Sequence, residues 1–310
     1  MDRIKILSTI STAVFLTLVV LLSACSGPKI PNFDGKHAFE HIETQCAFGP
    51  RTPNSPAHDQ CREYLLRTLQ EAAPICRIQQ FIHIDTLKKD TLHLTNLIAS
   101  FNPKHKTRIL LCAHWDCRPW ADKEPDTTLH RLPVPGANDG ASGVAVLLVM
   151  ADIMKSNVPP IGVDIVFFDG EDYGRDDYPE GWLLGSRYFV QNIGGYRPAA
   201  VILLDMIGDS DLQIYREYYS NNHARWLVDK FWTAAKIEGA GHFFDEVRHT
   251  VLDDHVPFLQ AGIPAIDVID MDYPFWHTLA DTPDKCSESS LGEVGRTLVR
   301  FVYDSKIGIK

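Results

Sequence analysis

The chain carries no excess of positive charge, no C-x-x-C pair, no internal repeat and no low-complexity tract. Thirty Lys and Arg face 40 Asp and Glu, a formal net charge of −10. That balance excludes an electrostatic nucleic-acid binder, which needs a basic face. Without C-x-x-C spacing, a structural zinc knuckle built from cysteines has no framework. No composition shift marks an internal linker, so the sequence reads as one unit. What is present is ordinary for a globular protein: 310 residues, 45% hydrophobic and 23% charged. That is long enough for one large α/β domain with a substantial core.

The first residues stand apart. Arg3 and Lys5 give a basic start, an apolar stretch runs over residues 6–22, and Leu22-Ser23-Ala24-Cys25 closes it. This is the pattern of an export signal. The cysteine directly after Ser-Ala resembles the bacterial lipobox. The resemblance implies a signal peptide over 1–24, a lipid on Cys25 as the new N-terminus, and a linker over 25–35 containing Gly27, Pro28 and Pro31. The alternative is an uncut membrane anchor, for which the stretch is short. The expected product is an exported lipoprotein on the periplasmic face, touching the membrane only through Cys25. Six further cysteines remain: Cys46, Cys61, Cys76, Cys112, Cys117 and Cys286. An even number in an oxidising compartment permits disulfides and leaves the pairing open.

Periodicity predicts helices over 36–47 and 56–72, the second capped by Ser55. Strands over 78–84 and 91–100 pair as a hairpin around Lys88-Lys89-Asp90. From residue 108 the rhythm changes. Short apolar strands at 108–112, 163–168, 200–204 and 265–269 alternate with helices at 141–154, 185–193, 222–236 and 291–304. Continuous apolar strands separated by helices indicate a mostly parallel sheet covered on both faces, with the early hairpin as an antiparallel edge.

Four fragments carry chemistry: His114-Trp115-Asp116, Asn138-Asp139-Gly140, Asp169-Gly170-Glu171-Asp172 and Phe275-Trp276-His277-Thr278, with Asp205 as a further candidate. Oxygen and nitrogen ligands from separate loops, with no cysteine among them, suit a hard or borderline cation such as catalytic zinc. Such a centre activates a carbonyl. Each fragment has a bland reading. Asp139 before a helix is an ordinary N-cap; Glu171 and Asp172 open an acidic turn with Asp176, Asp177 and Glu180; His277 packs among aromatics; Asp254 caps a helix. Their placement decides between the readings. His114 and Asp116, then Glu171 and Asp172, then Asp205, then His277 each follow a parallel strand, and ligands bind beyond the carboxyl ends of such strands. Adjacent Glu171 and Asp172 cannot easily share a role, so one binds metal and the other shuttles protons. Asp116 is placed to orient His114. Pro274, Phe275 and Trp276 make an exposed apolar loop unless they cover a ligand.

The ordered set Ala113-His114-Trp115-Asp116, Val134 to Asp139, Phe167 to Asp172, Gly185-Ser186-Arg187, Leu203 to Gly208, Asp253 to Leu259 and Trp276-His277-Thr278 carries a family likeness. With Phe48 to Ser55 at its start, it covers nearly the whole chain after the leader. The chain resembles the zinc-dependent aminopeptidase superfamily and, within it, is most similar to the glutaminyl-peptide cyclotransferases (glutaminyl cyclases) of animal-type fold. The resemblance implies a single domain over 36–310, a zinc-exopeptidase-like α/β fold of three layers, α/β/α, around a central mixed, mostly parallel sheet. It implies one zinc per chain on Asp139, Asp172 and His277. Glu171 becomes the general base and acid, supported by Asp205 and Asp254. Trp276, Phe275, Trp182 and His114 become the residues facing substrate. The implied substrates are peptides and proteins with N-terminal glutamine, converted to pyroglutamate with release of ammonia.

There are departures. Asp172 stands where animal cyclases have Glu, the stretch from Asn138 to Gly143 is closer to the peptidases, and the loop after Asp172 differs. His114 and Asp205 also match positions that hold a second zinc in two-metal aminopeptidases. A zinc aminopeptidase that hydrolyses N-terminal residues is therefore the alternative. A non-enzymatic binding module is a third reading and predicts lost ligands, yet every expected ligand position holds an acceptable residue.

Overall fold

The computed structural model describes residues 30–309. The leader and Cys25 lie outside the described residues. Helix α1 (Gly35–Ala47) starts at Asp34, whose carboxylate accepts from the Lys36 and His37 amides. Helix α2 (Pro56–Ala72) starts at the foreseen cap: Ser55 Oγ accepts from the His58 amide, with proline in the first turn. Strands β1 (Ile75–Asp85) and β2 (Asp90–Phe101) form the hairpin, in register from Ile75 opposite Ser100 to Asp85 opposite Asp90. Asp85 Oδ1 closes its turn on the Leu87 and Lys88 amides.

The alternating half follows as β3 (Arg108–His114), α3 (Ala141–Ser156), β4 (Gly162–Phe168), α4 (Leu184–Gln191) and β5 (Ala200–Asp205). After these come β6 (Ile214–Arg216), α5 (Tyr218–His223), α6 (Arg225–Glu238), β7 (Phe243–Val247), α7 (His255–Gln260), β8 (Ala265–Ile269) and α8 (Glu288–Tyr303). The main sheet runs β1-β2-β4-β3-β5-β8, with β4, β3, β5 and β8 mutually parallel and the hairpin antiparallel at one edge. This is the mixed, mostly parallel sheet foreseen.

Alternate residues of each central strand enter different cores, as the two-residue strand period requires. Ile109, Leu111, Val163, Ile165, Ile202 and Leu204 face α1, α2, α3 and α8. Leu110, Cys112, Val166, Phe168, Val201 and Leu203 face α4 and α7 through Phe189 and Phe258. The strands are covered on both sides, which is why they read as unbroken apolar runs.

Two features differ from the reading of the sequence, and a third, the state of the cysteines, is one that it left open. The helix foreseen over 222–236 breaks at Ala224 (φ −137°) into α5 and α6, and Glu217 caps the first piece by accepting from the Tyr219 and Ser220 amides. Strands β6 and β7 form a small second sheet with no apolar alternation to reveal it. All six described cysteines are free thiols.

Helix α3 lies tight on the sheet at Gly143. A Cβ there would sit 2.2 Å from the Leu204 carbonyl oxygen and 3.0 Å from the Ala113 Cβ. Gly143→Ala is expected to destabilise the fold by about 1–3 kcal/mol through overpacking. Urea unfolding should show a lower midpoint at unchanged slope; an unchanged midpoint would mean that α3 has room to move.

Candidate active site

Strands β3 and β5 are neighbours whose connections leave in opposite directions, the topology that opens a crevice at the strand ends. His114 ends β3 and Asp205 ends β5, and His114 Nε2 lies 3.2 Å from Asp205 Oδ1. Asp139 reaches the same place from the loop before α3, with Oδ1 3.2 Å from His114 Nε2. On its other side Asp139 Oδ2 is 3.8 Å from His277 Nε2, which is 3.3 Å from Asp172 Oδ1. Two triads, His114–Asp139–Asp205 and Asp139–Asp172–His277, thus share Asp139; within each, the ligand atoms lie within 4.8 Å of one another.

Buried carboxylates hold the backbone that presents these groups. Asp116 accepts from the Glu171 and Asp172 amides, 3.1 and 3.2 Å, and its Oδ1 is 3.5 Å from His114 Nδ1. Asp281 accepts from the Asn138 and Asp139 amides, 2.8 and 3.2 Å, and from the Tyr273 hydroxyl. Asn138 Oδ1 accepts from the Gly208 amide, joining that loop to the end of β5. Arg51, fully buried, donates to the Pro135 and Gly136 carbonyls. Gly140 (φ +101°) leaves no room for a side chain, since a Cβ would meet the Asp116 carbonyl oxygen at 2.4 Å. His277 itself is left-handed (φ +59°), a conformation that costs a non-glycine residue about 1–3 kcal/mol and clusters at functional sites.

The electrostatics divide the carboxylates. Burial pushes Glu171 well above the usual range, and Asp172 pushes it further. Burial would raise Asp172 too, but His277 and Arg118 hold it below its usual value. Asp139 is raised by burial and by Asp172. Burial opposes the charging of His114, yet Asp116, Asp139 and Asp205 carry it well above the ordinary histidine value. Asp281 is pushed up to about 7 by burial, then by Asp139.

A cavity of about 390 Å³ opens on this centre. Asp139, Glu171, Asp172, Asp205, His277, Trp182 and Trp276 line it. Three foreseen residues do not. His114 is buried beneath Asp139 and Asp205. Phe275 turns away, edge-on to Tyr273 at 5.6 Å and beneath the Lys285 ammonium at 5.1 Å. In the acidic pair before α7, Asp253 lines the cavity, whereas Asp254 (φ −54°, ψ −17°) is turned inward and fully buried. Burial raises Asp253 well above the usual range, with Asp205 and Asp254 adding to the shift. Behind it sit His255, Glu217 and Asp267, with His255 Nε2 3.2 Å from Glu217 Oε2.

Arg118 and Asp122 were not singled out in the sequence. Arg118 is 2% exposed and donates to Asp172 Oδ1 (3.0 Å), to the Asp172 and Gly174 carbonyls, and to Asp122. Its guanidinium carbon stacks 4.7 Å over Trp182. Asp122 Oδ1 lies 3.2 Å from His277 Nδ1, the ring nitrogen away from the triad. The available signal was proximity: Arg118 and Asp122 follow His114 closely, and Asp281 lies four residues after His277.

The donor set fits zinc. Asp139 Oδ2 and Asp172 Oδ2 are buried without a hydrogen-bond partner. Donors about 2.0–2.1 Å from a tetrahedral zinc stand about 3.3–3.4 Å apart, close to the spacing around His277 Nε2. Asp122 on the distal His277 nitrogen and Arg118 on Asp172 are the outer partners that orient such ligands. Asp122→Asn is therefore expected to weaken zinc retention about 10–100-fold, read by competition with a chromogenic chelator. Unchanged retention would remove Asp122 from the support of His277.

Residues 96–302 match the peptidase family M28. A glutaminyl cyclase from Bacteroides thetaiotaomicron, solved bound to N-acetylhistamine, is 38% identical, superposes with a TM-score of 0.86, and the match covers 89% of this chain and 100% of that one. A structure described as a leucine aminopeptidase precursor, from Bacteroides thetaiotaomicron VPI-5482, is also 38% identical with a TM-score of 0.86, covering 89% and 99%. The glutaminyl-peptide cyclotransferase-like protein of Bos taurus is 26% identical over 287 residues, 82% of this chain and 72% of that protein. The chain belongs to peptidase family M28, in the branch that contains the glutaminyl cyclases.

Proposed function

We propose that the protein is a glutaminyl-peptide cyclotransferase, converting N-terminal glutamine of peptides and proteins to pyroglutamate, with a single catalytic zinc on Asp139, Asp172 and His277. The observation that carries this reading is Glu171. Its carboxyl lines the cavity beside the triad, where burial and the neighbouring Asp172 raise its affinity for a proton, the direction a proton shuttle needs. Zinc in that triad supplies Lewis acidity toward the side-chain γ-carbonyl oxygen. Trp276 and Trp182 wall the cavity and hold the glutamine side chain folded toward its own α-amine. Attack within one residue needs no second reactant, so positioning supplies much of the acceleration. The α-nitrogen bonds to the γ-carbonyl carbon and the bond from that carbon to the amide nitrogen breaks. Glu171 takes a proton from the attacking amine and returns it to the departing ammonia. Asp253 and the buried Asp254 favour the protonated form of Glu171 between these transfers, and Asp205 lines the cavity beside it.

A second reading rests on the shared Asp139. With the His114–Asp139–Asp205 triad also filled, the centre would be a two-metal aminopeptidase using water. One assay separates them. A Gln-peptide incubated with the protein should lose one ammonia in mass, and a Leu-peptide should stay intact; shortening of either peptide would favour the peptidase. Glu171→Gln should lower turnover about 10²–10⁴-fold at unchanged zinc content. Near-normal turnover in that variant would end the assigned role.

The leader supports an exported lipoprotein tethered through Cys25, acting on exported chains that begin with glutamine. Mass spectrometry of the protein from cells should find a chain that begins at Cys25 and carries a lipid; a chain that retains residues 1–24 would argue for an uncut anchor.

A further inference from the structure

A second cluster of metal-binding side chains lies away from the cavity, where α1 packs on α3. His37 and His41 are four residues apart on α1, so their side chains share one helix face. Asp152 of α3 approaches the same face, and the three potential ligand atoms lie within 4.8 Å of one another. His37 Nε2 is 3.6 Å from Asp152 Oδ2. The imidazole rings stand 4.6 Å apart, centroid to centroid.

The distal nitrogens are both engaged. His37 Nδ1 lies 3.3 Å from Glu40 Oε2, and His41 Nδ1 lies 2.5 Å from the Tyr64 hydroxyl of α2. The tautomer with the proton on Nδ1 of each ring, donated to Glu40 and to the Tyr64 oxygen, leaves Nε2 as a lone-pair donor, the outer arrangement typical of metal-bound histidine. His41 supplies the independent sign. It is only 8% exposed, and its Nε2 is buried with no hydrogen-bond partner. A buried imidazole nitrogen without a partner is unfavourable unless something binds it.

We propose that His37, His41 and Asp152 form a second metal site, binding a borderline divalent transition ion such as zinc or copper and clipping α1 to α3. Two imidazoles and one carboxylate select such ions over magnesium or calcium, which take oxygen donors. The His37 and Asp152 side chains are 42% and 46% exposed, so the remaining coordination positions are open to water. Glu40 is turned to the far side of His37, away from those positions, and the site is one of binding rather than hydrolysis. It shares no ligand with the pocket centre, and the proposal stands independently of the cyclotransferase reading.

The test uses the whole purified protein and metal binding as its readout. Equilibrium dialysis against buffered zinc should give one fewer zinc per chain for His37→Ala and for Asp152→Asn than for the unaltered protein. His277→Ala, altered only in the pocket, should retain the helix-face ion. Copper added to His277→Ala should give a paramagnetic resonance spectrum with nitrogen couplings from two imidazoles, lost in the double variant His37→Ala/His277→Ala. Both helix-face residues are half exposed, and circular dichroism checks that the variants stay folded. Equal zinc content and affinity in the unaltered protein, His37→Ala and Asp152→Asn, or a copper spectrum indifferent to His37, would overturn the site.

Discussion

Five buried acidic side chains, Asp139, Glu171, Asp172, Asp205 and Asp253, line one cavity at the end of the sheet. Gathering like charges out of water is unfavourable unless a cation or protons offset them. The rest of the local structure answers that constraint. His277 and Arg118 act on Asp172, His114 sits between Asp139 and Asp205, and Glu171 and Asp253 hold protons more tightly than solvated carboxyls do. A divalent ion on Asp139, Asp172 and His277 would complete the same balance. The division of labour between adjacent Glu171 and Asp172 follows from it, since only Asp172 has fixed positive partners within bonding distance.

Geometry at the centre is held by main chain as much as by side chains. Asp116 and Asp281 each take two consecutive amides, fixing the Glu171–Asp172 and Asn138–Asp139 segments. Arg51 and Asn138 then tie the intervening loops to each other and to the end of β5. These residues do not line the cavity, yet they set the directions in which its carboxylate oxygens point. Rigid strand ends supply the remaining order, because β3 and β5 are packed from both faces.

Much of this was legible in the sequence, for physical reasons. Strands covered on both faces must be apolar throughout, so β3, β4, β5 and β8 announced themselves, and the polar residues at their ends stood out by contrast. Ser55 marked the start of α2 by cap chemistry. Other features were silent. Strands β6 and β7 are short and partly exposed, so no alternation betrays them. The break at Ala224 depends on Glu217 capping a preceding turn rather than on a breaker residue. Asp253 and Asp254 are the same residue type at adjacent positions, and only the turn into α7 decides which one sees the cavity. Phe275 was judged from its company, whereas its ring is claimed by Tyr273 and Lys285. Arg118 acts on a carboxylate 54 residues away, a relation that only the folded loop creates.

The backbone of His277 has a consequence for how this protein can be improved. A left-handed residue is the place where glycine or asparagine would be more comfortable. The imidazole therefore keeps its place for the charge it offsets on Asp172, against the preference of its own backbone. Local strain and charge balance pull in opposite directions at this position, so efforts to harden the protein have to leave it alone and work on the distant helices instead.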